Sequence, residues 1–147
     1  MNRRYFFAAA MAGLAATRLR AAAGDKVNIG MIGVGGRGRG LLGTCTNLPD
    51  VNVIHLCDAD QASLERANQV IAQSGKPRPK TTNDMRHLFD DKTVDAVVVA
   101  TPDHWHAPAT ILACDAGKDV YVEKPASHNI REGRLMVDAA RRNGRIV

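Results

Sequence analysis

The sequence predicts an α/β fold built on a doubly wound parallel sheet, and three observations predict it. Strand-like and helix-like segments alternate through short turns from residue 26 onward. The run 94–100, VDAVVVA, is almost continuously apolar, which is typical of a central parallel strand covered on both faces. The segment 108–117 begins with Pro108 and ends with Gly117, the asymmetry expected of a helix.

Each predicted element rests on a local pattern. Strands are predicted where apolar and β-branched residues form a short run, at 26–33, 51–57, 94–100 and 119–123, and residues 145–147 begin one more. Helices are predicted where apolar residues recur at helical spacing between caps, at 38–47, from Asp60 or Ser63 to Gly75, from Asp84, at 108–116 and at 130–142. The segment 76–79, KPRP, is a predicted turn.

The net charge of the chain is concentrated at its start. The 147 residues include 20 Lys and Arg against 15 Asp and Glu, a formal charge of +5. Four of the basic residues precede Asp25, the first acidic one: Arg3, Arg4, Arg18 and Arg20. The remainder is nearly neutral, so the composition argues against a nucleic-acid partner. No apolar run reaches the roughly 18–20 residues of a membrane span.

Residues 1–23 resemble a bacterial twin-arginine export signal. Arg3 and Arg4 are followed by Phe6, an alanine-rich apolar stretch and the small residues 21–23. We therefore expect recognition by the twin-arginine export machinery, cleavage after Ala23 and a periplasmic or exported mature chain, residues 24–147. An amphipathic N-terminal helix and an organellar transit peptide are the alternatives.

A glycine-rich loop joins the first predicted strand to the first helix. The sequence GVGGRG at 33–38 satisfies G-x-G-x-x-G, in which Gly33 permits a tight turn, Gly35 lets a pyrophosphate approach the backbone and Gly38 allows close helix packing. The phosphates then meet a helix N-terminus. We expect Gly36 and Arg37 to contact the dinucleotide as well. A structural glycine turn, another kind of nucleotide-binding loop and a short RNA-binding arginine–glycine segment are the alternatives.

Asp58 supports a dinucleotide site because of its position. It follows the strand at 51–57 and lies twenty residues after Gly38, where an acidic side chain accepts hydrogen bonds from the adenosine ribose. Since a carboxylate repels a 2′-phosphate, NAD is favoured over NADP, although Arg37 and Arg39 lie nearby. A helix cap or turn role for Asp58 is the alternative.

Two later loops also follow predicted strands. Thr101-Pro102-Asp103-His104-Trp105-His106 follows the strand at 94–100, and Glu123-Lys124-Pro125 ends the strand at 119–123. Both lie at carboxyl ends of strands, the edge at which doubly wound sheets bind ligands. Together with the glycine loop and Asp58, the T-P-x-x-x-H and E-K-P elements resemble the Gfo/Idh/MocA oxidoreductase family over residues 27–147.

The resemblance implies an NAD(P)-binding Rossmann fold followed by a C-terminal α/β domain. Because that second domain is absent, we expect residues 24–147 to be a dinucleotide-binding domain truncated at its C-terminal end. The family transfers hydride between a nicotinamide and a sugar or polyol hydroxyl. We expect the full-length protein to be a homo-oligomer, and the present chain to bind dinucleotide but to turn over poorly or not at all.

The resemblance also implies residue roles. Lys124 is the expected catalytic or substrate-positioning residue, beside the nicotinamide and the substrate hydroxyl, with a surface lysine at a strand end as the alternative. Pro125 shapes that turn, in some members through a cis peptide. Glu123 is expected to contact the nicotinamide ribose or to orient Lys124, with a simple salt bridge as the alternative. Thr101 and Pro102 are expected to line the dinucleotide.

Three aromatic side chains complete the expected cofactor contacts, namely His104, Trp105 and His106. His104 and His106 are also spaced as a His-x-His metal pair, but no third ligand is evident and we expect no metal. Cys57 and Cys114 are expected to be small buried hydrophobic residues.

Other functions stay open from the sequence. Some relatives use bound NAD for a glycosidase reaction without net redox change, and the same loops would serve it. A non-catalytic dinucleotide-binding module is a second alternative. A methyltransferase using S-adenosylmethionine shares the glycine loop and the acidic residue, but the E-K-P element has no role in it.

Overall fold

The structure, a computed structural model, describes residues 26–147, and the expected export signal at 1–23 lies outside them. The strands are β1 (Val27–Ile32), β2 (Val51–Cys57), β3 (Lys80–Thr82), β4 (Ala96–Val99) and β5 (Asp119–Val122). The helices are α1 (Gly36–Thr46), α2 (Gln61–Gln73), α3 (Arg86–Asp90), α4 (His106–Asp115) and α5 (Ile130–Asn143). A 3₁₀ turn at Asp103–Trp105 precedes α4.

All five strands are parallel and pair in the order β3-β2-β1-β4-β5. From β1 the chain first adds strands on one side and then returns to add β4 and β5 on the other. This reversal of strand order confirms the predicted doubly wound α/β fold. It also sets the loops after β1 and β4 side by side, at the position where such sheets bind ligands.

Two hydrophobic clusters cover the two faces of the sheet. Val97 and Val99 of β4 pack with residues of α4 and α5, whereas Val98 packs with residues of α1 and α2. Alternate residues of a strand point to opposite faces, so a strand in this position must be apolar throughout. The apolar run at 94–100 is therefore the result of burial on both sides.

Caps define the ends of two helices. The Asp60 side chain accepts hydrogen bonds from the backbone N–H groups of Ala62 and Ser63, so Asp60 and not Ser63 caps α2. At the other end of the domain, α5 ends at Gly144, whose φ of 61° is left-handed.

The structure corrects three of the predicted boundaries. α1 begins at Gly36 rather than Gly38, because the Gly35 carbonyl already accepts the N–H of Arg39 at 2.9 Å. α4 begins at His106, which leaves Pro108 in its first turn, where a missing N–H costs no helical hydrogen bond. Residues 145–147 form no strand, although the Ile146 carbonyl accepts a hydrogen bond from Val120.

β3 was not predicted from the sequence. Its three residues, KTT, are polar and two of them are exposed, so they carry no apolar pattern. They form a strand because Lys80, Thr81 and Thr82 align with His55–Cys57 of β2. Within the described residues, no helix is both long enough and apolar enough to cross a membrane.

Candidate functional site

A cleft of about 1020 Å³ lies along the carboxyl ends of the strands. Its wall includes eight of the residues predicted for the site: Gly33, Gly35, Gly36, Asp58, Thr101, Pro102, His104 and Trp105. Six others do not line it: Arg37, Gly38, His106, Glu123, Lys124 and Pro125. The topology therefore brings the loops after β1, β2 and β4 to one cavity.

The glycines of the loop after β1 divide into two kinds. A Cβ atom on Gly33 would lie 2.7 Å from the Thr101 nitrogen, and one on Gly38 would collide with the Gly33 carbonyl. Gly33 also has a left-handed φ of 82°. By contrast, a Cβ on Gly35 or Gly36 would meet no described atom within 4 Å. The first pair is required for packing, and the second leaves open space at the N-terminus of α1.

Asp58 ties this loop to the end of β2. One carboxylate oxygen accepts the N–H of Val34 at 2.8 Å, and the other accepts the N–H of Asp60 at 2.9 Å. Each oxygen keeps a second lone pair for a ligand. The bond from Asp60 is the turn role stated above as the alternative. Asp58 also fixes the glycine loop, which the sequence did not indicate, and its contact with a ribose stays a prediction.

Thr101 presents a polar atom that the described residues leave unpaired. Its Oγ1 is buried and has no hydrogen-bond partner among residues 26–147. A buried hydroxyl without a partner is unfavourable, and such groups are usually satisfied by a ligand or water. Thr101 lines the cleft through other atoms, because its Oγ1 has almost no exposed surface and a ligand in the cavity would reach it only after neighbouring atoms move.

His106 is buried between two loops and does not face the cleft. Its Nδ1 lies 2.7 Å from the Pro125 carbonyl and its Nε2 lies 2.9 Å from the Thr101 carbonyl. The ring therefore holds the loop after β4 against the loop after β5. Because both nitrogens face carbonyls, His106 is not placed to bind a metal with the exposed His104.

Glu123 forms an ion pair across the site. Its Oε1 accepts hydrogen bonds from Nε and Nη2 of Arg37, both at 2.7 Å, and its Oε2 accepts the N–H of Lys124 at 3.1 Å. The Arg37 guanidinium holds the pKa of the Glu123 carboxyl below its ordinary value. The salt bridge, stated above as the alternative role, is therefore present in the structure.

The Glu-Lys-Pro turn carries the expected catalytic lysine. The Lys124–Pro125 peptide is cis, one of the forms that the family resemblance implied for this turn. Lys124 is exposed, beside the loops that bound the cleft but outside its wall. The role of Lys124 toward a substrate therefore stays a prediction.

The sequence reasoning missed a group of polar residues at the β2–β3 end of the cleft. Asn83, Asp84 and Arg86 line the wall there with Asp60. They follow β3, and a strand without an apolar pattern gave no reason to place its following loop at the ligand edge. Asp103, in the loop after β4, does not line the cleft, and its carboxylate lies 3.2 Å from Nδ1 of His128.

Comparison with known proteins gives consistent matches. The chain is 39% identical to a Glycosyl hydrolase family 109 protein of Stenotrophomonas maltophilia (strain K279a), over 142 residues that cover 90% of this chain and 31% of that protein. A solved NAD binding oxidoreductase from Klebsiella pneumoniae is 35% identical, with a TM-score of 0.67, covering 82% of this chain and 33% of that one.

A third relative has a ligand-bound structure. Myo-inositol dehydrogenase from Lactobacillus casei, solved with NAD(H) and myo-inositol, is 27% identical with a TM-score of 0.72, covering 80% of this chain and 34% of that one. The chain thus spans about a third of the length of these relatives. Residues 27–147 match the NAD-binding Rossmann fold of an oxidoreductase family, and the chain belongs to that family, Gfo/Idh/MocA.

Proposed function

We propose that this chain is the NAD-binding part of an enzyme that transfers hydride between a nicotinamide and a hydroxyl of a sugar or polyol. The observation that carries the proposal is the joining of the glycine loop and Asp58 in one cleft with Thr101. The Asp58–Val34 hydrogen bond holds the loop so that Gly35 and Gly36 leave open space at a helix N-terminus.

The residues fit a dinucleotide along the length of the cleft. Gly35 and Gly36 would hold the pyrophosphate, and the free lone pairs of Asp58 would accept the adenosine ribose hydroxyls. Thr101, Pro102 and Trp105 would line the dinucleotide on the β4 side of the cavity. The bound cofactor supplies a nicotinamide that accepts or donates hydride.

Lys124 would act on the substrate. Its ammonium group can hydrogen-bond a reacting hydroxyl and move a proton at that oxygen. The Arg37–Glu123 pair and the His106 ring hold the turn that carries it. These contacts indicate that the backbone of Lys124 is held in a fixed position.

A glycosidase that uses NAD without net redox change is the second candidate. The observation that favours it is the 39% identity to a protein named Glycosyl hydrolase family 109. Both candidates need the same nucleotide site. They differ in the substrate, because only the glycosidase releases an aglycone from a glycoside.

Nucleotide binding is tested first on the 147-residue chain. Trp105, the single tryptophan, lines the cleft, so its fluorescence should be quenched as NAD or NADH binds. We expect saturable quenching by NAD, weaker binding of NADP, and loss of that preference in Asp58→Asn. No saturable change with either nucleotide, confirmed by calorimetry, would contradict the proposal.

The choice between the two activities requires a protein that joins this chain to the family's α/β domain. Free sugars and polyols should give NADH absorbance if the protein is a dehydrogenase. Aryl glycosides should give free phenol with no net NADH if it is a glycosidase. Lys124→Ala should abolish either signal while NAD still quenches Trp105.

We further propose that residues 1–23 direct twin-arginine export and that the complete protein is a homo-oligomer. Replacement of Arg3 and Arg4 by lysine should retain the protein in the cytoplasm. N-terminal sequencing of the exported form should begin at Gly24, and a start at Met1 would refute cleavage. Light scattering on the complete protein measures the oligomeric state.

A further inference from the structure

Two arginine–aspartate pairs lie at the β2–β3 end of the cleft, where the adenosine is proposed to bind, although Arg66 itself does not line the wall. Nε of Arg86 lies 2.9 Å from both carboxylate oxygens of Asp84, and its Nη2 lies 2.5 Å from one of them. Arg66 is paired more loosely with Asp60, at 3.3 Å. Among residues 26–147, no cation forms an ion pair with Asp58, so this end of the cavity keeps one uncompensated negative charge.

Backbone contacts hold the Asp84–Arg86 pair beside Asp58. The Asp58 N–H donates to the Thr82 carbonyl at 3.2 Å, and the Asn83 side chain donates to the Asp58 carbonyl at 2.8 Å. The loop after β3 is therefore fixed to the end of β2. Asp84 and Arg86 line the same cleft as Asp58, whereas Arg66 does not.

An arginine in this position has a known chemical use. A 2′-phosphate carries a charge of about −1.5 to −2 at neutral pH, and an arginine near the adenosine ribose accommodates it. In this chain the arginine is present, but its guanidinium is turned onto Asp84. The pair is close to neutral as a unit, so it offers a 2′-phosphate no net attraction.

We propose that Asp84 contributes to the preference of this protein for NAD over NADP by neutralising Arg86, which otherwise recognises the 2′-phosphate of NADP. This inference rests on the proposed nucleotide site and adds a specificity residue to it. Asp58 is then not the sole residue that discriminates between NAD and NADP, because a side chain in the loop after β3 carries part of that discrimination. The single change Asp84→Asn should release the arginine for a phosphate.

The net charge of the Asp84–Arg86 pair predicts the direction in which each variant changes the nucleotide preference. Asp84→Asn leaves a net positive pair, and the ratio of the dissociation constants, NADP over NAD, should fall about tenfold, through tighter NADP binding. Arg86→Gln leaves a net negative pair, and the ratio should rise. The double variant restores neutrality, so its ratio should return to within about twofold of wild type.

The substitutions are chosen to keep the fold. Asp84 also accepts the Arg86 N–H at the start of α3, and an asparagine oxygen can accept the same bond. Asp60→Asn is the matched control: it removes one carboxylate charge from the same end of the cleft and releases Arg66, which does not line it. Its effect on the ratio should be smaller than that of Asp84→Asn.

The experiment is a titration of the 147-residue wild type and the four variants with NAD and NADP, followed by Trp105 fluorescence and calorimetry. The proposal is supported if Asp84→Asn lowers the ratio of dissociation constants and the double variant restores it. Three results would overturn the proposal while leaving the nucleotide site intact. The ratio of dissociation constants could be unchanged in Asp84→Asn, it could change equally in Asp60→Asn, or the lowered ratio of Asp84→Asn could persist in the double variant. A wild type that binds neither nucleotide overturns both proposals.

Discussion

The guanidinium of Arg37 lies 2.7 Å from the carboxylate of Glu123, although the two residues are 86 positions apart. Arg37 belongs to the first turn of α1, and Glu123 follows β5 and precedes Lys124. The Glu123 side chain is only 7% exposed, whereas that of Arg37 is 64% exposed. The turn that carries the expected catalytic lysine is therefore anchored to α1, the helix that follows the glycine loop.

This anchor predicts the effect of Arg37→Gln. The substitution leaves a nearly buried carboxylate with only the Lys124 N–H and a long contact to Tyr121. An uncompensated buried charge is unfavourable, so the melting temperature should fall by about 5 °C. Arg37→Gln combined with Glu123→Gln should cost less than the sum of the single changes. The measurement is thermal unfolding followed by circular dichroism.

Arg39→Gln serves as the control for loss of a charge on α1. Arg39 forms no ion pair within residues 26–147, and its replacement should leave the melting temperature almost unchanged. Strictly additive effects of Arg37→Gln and Glu123→Gln would show that the two side chains are not coupled in solution.

The two kinds of glycine predict opposite phenotypes. Gly38→Ala places a methyl group against the Gly33 carbonyl, a backbone atom that cannot rotate away, so it should lower the melting temperature by about 10 °C or more. Gly35→Ala meets no described atom and should leave the melting temperature nearly unchanged. It should nonetheless weaken NAD binding at least tenfold, because its methyl group enters the space of the pyrophosphate. Melting curves and NAD titrations separate the two effects, and unaltered NAD affinity in Gly35→Ala would contradict the assignment.

A third prediction on stability concerns its dependence on pH, at a residue away from the cleft. Asp91 accepts hydrogen bonds from Lys80 at 2.7 Å, from the Thr93 hydroxyl at 2.6 Å and from His55 at 3.0 Å. These bonds, led by that from Lys80, hold the pKa of the Asp91 carboxyl far below its ordinary value. Its stabilisation is therefore present above the unfolded pKa of about 4 and is lost as the pH falls toward the folded pKa.

Asp91→Asn should accordingly lower the melting temperature at pH 7 by about 5 °C. The difference from wild type should stay nearly constant down to about pH 4 and shrink below it. Asp90→Asn, an exposed neighbour, is the control and should change little at any pH. A difference that grows on acidification would have the wrong sign and would refute the assignment.

Local patterns in the sequence predicted most of the fold and part of the site. The burial of β4 on both faces and the turn at Gly33 each constrain residue types locally, so both could be read directly. β3 could not, because a three-residue edge strand needs no apolar pattern. The loop that carries Asp84 and Arg86 was missed with it.

Contacts between distant side chains were the other part that could not be predicted. Arg37 was expected at the dinucleotide, and its pairing with Glu123 depends on how α1 and the end of β5 are brought together. His106 was expected at the cofactor, but the ring turns inward between two carbonyls. Neither orientation is encoded in the spacing of the motifs.

Thiol reactivity provides the final prediction. Cys57 is 4% exposed and Cys114 is fully buried, as expected from the sequence, and burial raises the pKa of the Cys57 thiol to about 12. Since the thiolate is the reactive form, a disulfide reagent such as 5,5′-dithiobis(2-nitrobenzoate) should leave both residues unmodified in the native chain at pH 8. Only the half-buried Cys45 should react, and slowly, because burial also raises its pKa.

All three thiols should react in guanidinium chloride, and the native Cys45→Ser chain should release no colour. Rapid modification of that variant, identified at Cys57 by peptide mapping, would show that the end of β2 opens in solution and that the cleft wall is less rigid than its contacts indicate.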